Sequence, residues 1–294
     1  MSLSVELGLL LALATAFASV VGFLYKQRGA VESPAVELRR PVRTSLALFR
    51  SRWYVLGIVI ATASWGLHVS ALSLAPISLV QSVIAGGLVL LTVTAHGLFD
   101  HEVTRREWLG VALAALGLAF LSATIGATGD DAYSSYDVWR LWPWVGVLSL
   151  AALVVAALSR RRPREGVILG ISAGLFWAAS DTSIKALTDQ LGDGAAAVLL
   201  NPLAAVVAIA SFAGLAVSAR SLQLGKAVPV IAVTSVAANL FTITAGPIVF
   251  GEPMPDTSLG VLARLVAFGL VIAAAALTPA PVRPAEPDAA ATSA

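Results

Sequence analysis

Nine stretches of about 20 mostly apolar residues follow one another along this 294-residue chain, with short polar gaps between them. Apolar stretches of this length leave water as membrane-spanning helices, because lipid offers no partner for a free backbone N–H or C=O. The expected spans are 5–25, 53–73, 77–98, 107–125, 143–159, 166–187, 195–217, 226–250 and 258–278. Charged residues make up 12% of the chain, about half the share usual in a soluble domain. The fold class is therefore all-α: a polytopic membrane protein with nine transmembrane helices, integral to a bacterial-type plasma membrane. There is no cysteine, which excludes disulfides and thiolate metal sites. Met1–Glu6 lacks a basic n-region, so no cleavable signal peptide is expected. The tail 279–294, PAPVRPAEPDAAATSA, has the composition of a disordered segment.

Charge sets the expected orientation. With the N-terminus outside and the C-terminus cytoplasmic, the cytoplasmic segments are 26–52, 99–106, 160–165, 218–226 and the tail. They hold 16 of the 19 Lys and Arg residues, including Lys26, Arg160, Arg161 and Arg162. The opposite loops are acidic, with Asp130, Asp131, Asp137, Asp189, Asp193, Glu252 and Asp256 against Arg140 alone. This is the positive-inside pattern. The basic residues thus have a topological explanation, and a nucleic-acid partner is not expected.

The chain also repeats itself. GLHVSA at 66–71 returns as GLAVSA at 214–219, and TVTA at 92–95 as TITA at 242–245. Glu102 with Leu109, Gly110 and Val111 recurs as Glu252 with Leu259, Gly260 and Val261. Ala14, Phe17 and Lys26 recur as Ala173, Phe176 and Lys185. Four matches in one order imply two related four-helix halves. The span between them inverts the second half, a 4+1+4 inverted repeat typical of secondary transporters. The expected units are 1–125 (first repeat, with the basic loop 26–52), 126–165 (outer loop, linking span and basic linker), 166–278 (second repeat) and 279–294 (tail).

The segment GVILGISAGLFWAASDTSIKAL at 166–187 carries most of the chemistry. Gly166, Gly170 and Gly174 form a smooth stripe for close helix packing. Beyond it stand Ser180, Asp181, Thr182, Ser183 and Lys185. A carboxylate inside a span costs about 2.5–3.5 kcal/mol and normally faces protein or water. Asp181 and Lys185 lie one helical turn apart, which permits a self-neutralising pair. Arg264 falls at a similar depth as a competing partner for Asp181. His68, Gln81 and Asn201 fall there too, which suggests an outward-opening aqueous cavity. Asn239 is a further polar candidate on the solute pathway. His68 could relay protons or simply bridge helices, and Asn201-Pro202 signals a helix break. Glu102 and Glu252, at opposite faces, are candidate gating or repeat-end residues, although Thr104 with Glu107 also reads as a capping box.

ALSLAPISLVQSV at 71–83 resembles the A-x-x-x-AP-x-SLV signature of the drug/metabolite transporter superfamily, as does the apolar stretch running to Glu102 and the EWLG at 107–110. FLYKQRGA at 23–30, IKAL at 184–187 and FGE at 250–252 resemble its NIPA-like and EamA-like members. The resemblance covers residues 5–278 and implies a secondary carrier that alternates access between inverted halves. It allows Mg²⁺ as the transported ion, with Asp181 the metal-ligand candidate, and no resident cofactor. Magnesium favours several hard oxygen ligands, and Asp181 is the one carboxylate placed inside a span, so a polar organic solute stays equally open. No zinc-protease or phosphate-loop motif supports an enzyme. A non-transporting scaffold would leave the buried Asp181 without a purpose. The expected partners are the lipid bilayer and a small solute or ion, and the chain is compatible with a homodimer.

Overall fold

The computed structural model describes residues 2–31, 33, 48–86, 105–124, 131–160, 162, 164–225 and 227–277. Regular structure among them is helical throughout: α1 Leu3–Val31, α2 Arg52–Leu74, α3 Ile77–Gly86, α4 Arg105–Thr124, α5 Val138–Ser159, α6 Glu165–Thr188, a 3₁₀ turn at Leu191–Asp193, α7 Ala195–Leu200, α8 Pro202–Leu224, α9 Ala227–Val249 and α10 Ser258–Leu277. Four of these helices, α2, α5, α6 and α8, are each long and apolar enough to cross a membrane. Shorter apolar helical stretches lie in α1, α3, α4, α9 and α10. The protein is a polytopic membrane protein.

α6 is the axis of the fold. Of its most apolar 18-residue stretch 72% is buried, against 22–28% for α2, α5 and α8. It packs against α2, α5, α8 and α9, while α1 pairs with α2 and α4 with α10. The glycine stripe does what its spacing predicts. A Cβ on Gly170 would lie 3.0 Å from Thr234 Oγ1 on α9, and one on Gly174 would press on Ala237 and the α9 backbone. Gly166 meets the backbone of Gly225, at the joint between α8 and α9. Thr234 Oγ1 donates to Gly170 O at 2.9 Å, and Ser172 Oγ donates to Ala152 O on α5 at 2.7 Å.

Elsewhere the helices turn one face inward and leave apolar side chains outside. On α5, Leu141, Val145, Leu148 and Ala152 are buried, while Val147, Leu150, Leu153 and Leu158 are exposed. Such faces would be costly in water and are the normal exterior of a helix in lipid.

The expected span 195–217 is corrected by the structure. Asn201 is extended (φ −68°, ψ 134°) and accepts a hydrogen bond from Leu203 N at 2.8 Å, so it caps α8 with Pro202 at the first helical position. The long helix therefore runs from 202 to 224, and 195–200 is a separate, largely exposed short helix.

Candidate functional site

Two polar assemblies lie along α6, one turn apart, and they do different things. The first surrounds Asp181. Gln81 on α3 donates its Nε2 to Asp181 Oδ2 at 3.1 Å. His68 on α2 places Nε2 3.4 Å from Asp181 Oδ1. That distance allows an ion pair, but the alignment makes no hydrogen bond, and both ring nitrogens are buried without a hydrogen-bond partner.

These three residues stand at a cavity of about 610 Å³ between the α1/α2 pair and α8. Its walls include Trp65, Trp177, Phe212, Ile58, Ile84 and Val207. Polar groups in the walls are held by neighbours: Ser19 and Ser64 hydroxyls at 2.7 Å, Ser180 and Ser211 at 2.9 Å, and Ser64 Oγ donating to Thr15 O at 3.1 Å. At its other end the cavity reaches Lys26 on α1. It therefore runs from Asp181 toward the end of the bundle where α1 finishes and α2 begins.

The second assembly closes the opposite end. Lys185 is fully buried, and its Nζ donates to Leu72 O at 2.6 Å, Ala75 O at 3.0 Å and Ala132 O at 2.5 Å. Leu72 and Ala75 end α2, so the ammonium sits on the carbonyl end of that helix, where the helix dipole favours a cation. Glu252 acts on the next helix. Its Oε1 accepts from Ser78 N at 3.3 Å, at the start of α3. Together Lys185 and Glu252 hold both sides of the Ala75-Pro76 joint. Glu252 is buried beside Gly246, where a Cβ would collide with its carboxylate. Burial pushes the Glu252 carboxyl above its ordinary value, partly opposed by hydrogen bonds from Ser78 and by the Lys185 charge.

The expected charge partners of Asp181 are therefore corrected. Lys185 is one turn from Asp181 but is taken up by three carbonyls. Arg264, also buried, donates its Nη1 to Pro253 O at 2.6 Å and interacts electrostatically with Glu252. Both cations stay with the oxygen-rich joints at the bundle end, and Asp181 faces the cavity. Asn201 caps α8 and donates to Gln190 Oε1 at 2.9 Å. Asn239 is buried on α9, and neither asparagine is among the residues that line the cavity. Glu102 lies outside the described residues. Trp65 and Trp177 are cavity walls that were not among the residues expected at the site. The signal was present in their spacing, since Trp177 lies one turn before Asp181 and Trp65 one turn before His68.

A helical membrane bundle with a polar site held inside its apolar helices is compatible with a membrane transporter, and the comparisons with known proteins support that class. Over 276 residues the chain is 25% identical to a probable magnesium transporter NIPA9 of Arabidopsis thaliana, covering 89% of this chain and 78% of that protein. Over 71 residues it is 31% identical to a probable 4-amino-4-deoxy-L-arabinose-phosphoundecaprenol flippase subunit ArnE of Serratia proteamaculans, covering 24% of this chain and 62% of that one. No family model and no solved structure matches the chain. The relatives bear out the resemblance read from the motifs, to NIPA-like and EamA-like membrane proteins of the drug/metabolite transporter superfamily.

Proposed function

We propose that the protein is a secondary transporter that moves a small solute by alternating access between two inverted four-helix halves. The observation that carries this reading is the unequal state of two lysines. The sequence repeat pairs Lys26 with Lys185; Lys185 is locked on the end of α2 while Lys26 lines the cavity.

The repeat has structural support at matching joints. α2 and α8 each have 23 residues, capped by Ser51 and Asn201 at the start and by Ala75 and Gly225 at the end. Ala75 N donates to Ala71 O and Gly225 N to Ser221 O. Gly8 of α1 presses on the first joint as Gly166 of α6 presses on the second. In the opposite state, Lys26 takes the carbonyl end of α8 as Lys185 now takes that of α2, and Lys185 is released. With the positive-inside orientation, N-terminus outside and C-terminus cytoplasmic, the cavity described here faces the cytoplasm, not the outside as the depths of its polar residues suggested, and Lys185 seals the outside.

The test uses the absence of native cysteine. A single cysteine at the cavity residue Ser211 is labelled in vesicles by a membrane-impermeant maleimide applied from either side. Lys185→Met is expected to shift labelling toward the outside and Lys26→Met toward the cytoplasm. Shifts in the same direction, or labelling from one side under every condition, refute the cycle.

A second reading, a magnesium pathway, is favoured by the NIPA9 similarity. Asp181 would be its ligand. Against it, no group of three or more His, Asp or Glu residues is close enough among the described residues to hold a metal ion.

A further inference from the structure

We propose that the cavity takes an organic solute bearing a protonated amine, its ammonium at Asp181 beside His68 and its apolar body along Trp65, Trp177 and Phe212. The inference rests on the transport reading and names the solute class of that same site.

The donors and acceptors left over at the site define the head group. Gln81 occupies Asp181 Oδ2, so Oδ1 keeps its acceptor capacity toward the cavity. His68 adds a buried imidazole with neither nitrogen satisfied. Its Nε2 stands 3.4 Å from Oδ1 and is itself closed off from the cavity, so the head group meets the carboxylate oxygen. An ammonium carries up to three donors on one atom and brings the opposite charge to that oxygen. A carboxylate or sulfonate head would face Asp181 with like charge, and an alcohol would bring no charge to meet it.

The walls agree with the head. Trp177 and Trp65 lie one turn along their helices from Asp181 and His68, and both line the cavity. Indole faces attract cations and offer flat apolar surface to a carbon skeleton. A volume of about 610 Å³ suits an organic molecule, and is far larger than one ion with its first water shell requires. Lys26 stands at the far end, beside Gly57. Gly57 and His68 are eleven residues apart on α2, about 16 Å of helix rise. Its charge therefore repels an ammonium toward Asp181 and gives the bound solute a direction.

The full chain in detergent is tested by calorimetric titration with tryptamine, its neutral analogue tryptophol, its anionic analogue indole-3-propionate, and Mg²⁺. Tryptamine is expected to bind at least about tenfold more tightly than tryptophol, the effect of one charge-assisted contact. Asp181→Asn is expected to erase that difference while leaving tryptophol unaffected. Trp177→Leu, which leaves the polar cluster intact, weakens tryptamine more than tryptophol and serves where Asp181→Asn fails to fold. Equal binding of amine and alcohol, an amine preference that survives Asp181→Asn, or saturable binding of Mg²⁺ alone overturns the proposal. No binding by any amine overturns it as well. The Ser211 labelling reads the transport cycle separately, so alternation without amine binding removes only the solute class. Amine binding without alternation removes only the cycle.

Discussion

Replacing Lys185 by Met isolates what holds the sealed end together. The substitution keeps chain length and apolar bulk but removes three hydrogen bonds from a charged donor to Leu72 O, Ala75 O and Ala132 O. Each carbonyl left unsatisfied in a buried site costs about 1–3 kcal/mol. Part of this is returned, because the methionine carries no ammonium to desolvate and its own burial is worth about 1.5–3 kcal/mol. The net loss is about 3 kcal/mol, which for a chain of this size lowers Tm by about 6–10 °C. Intrinsic fluorescence from the seven tryptophans follows unfolding in detergent. The double variant with Asp181→Asn completes the measurement, since non-interacting sites add within about 0.5 kcal/mol. A Tm change under about 2 °C would refute the capping role, and a coupling above about 1 kcal/mol between positions 181 and 185 would show that Lys185 serves Asp181 instead.

Gly174→Leu drives a side chain into Ala237 and the α9 backbone; a loss of several kcal/mol is expected, about 3 or more, measured as reduced Tm and yield of folded protein. Asn201→Ala removes the side-chain cap on Leu203 N, and is expected to cost about 1 kcal/mol in the same unfolding measurement. Glu252 supplies a pH test. Its folded value lies above the ordinary 4.5, so the folded state holds a proton that the unfolded chain releases. The resulting stabilisation is complete below 4.5 and is lost as pH rises toward the folded value. Tm of the native chain should fall across that window, and Glu252→Gln, neutral at every pH, should flatten the slope; equal slopes would exclude Glu252 as the source.

Much of the architecture was legible in the chain. Length and apolar content alone are enough for membrane helices, because a span must satisfy its own backbone. The glycine stripe at 166, 170 and 174 announced close packing, and α9 occupies it. The Asn201-Pro202 break was also readable, because capping and a fixed proline φ are local effects. Its consequence was not: whether the residues before it continue the span depends on what they pack against, and α7 is largely exposed.

The site divided along the same line. Asp181, His68 and Gln81 were recognisable as polar residues at similar depth, and they do converge. The choice of charge partners was not recognisable. Asp181 to Lys185 is an ideal helical spacing, yet spacing ranks only side chains on one helix. The competing acceptors for Lys185 are backbone carbonyls of α2 and of the 131–137 connection, which carry no sequence signature. Arg264 likewise goes to Pro253 O. Apolar length and local caps are enough to mark most of the helices and the residues that would be expensive to bury. Which oxygen each cation meets is settled by folding, because it depends on where helix ends from distant parts of the chain come together.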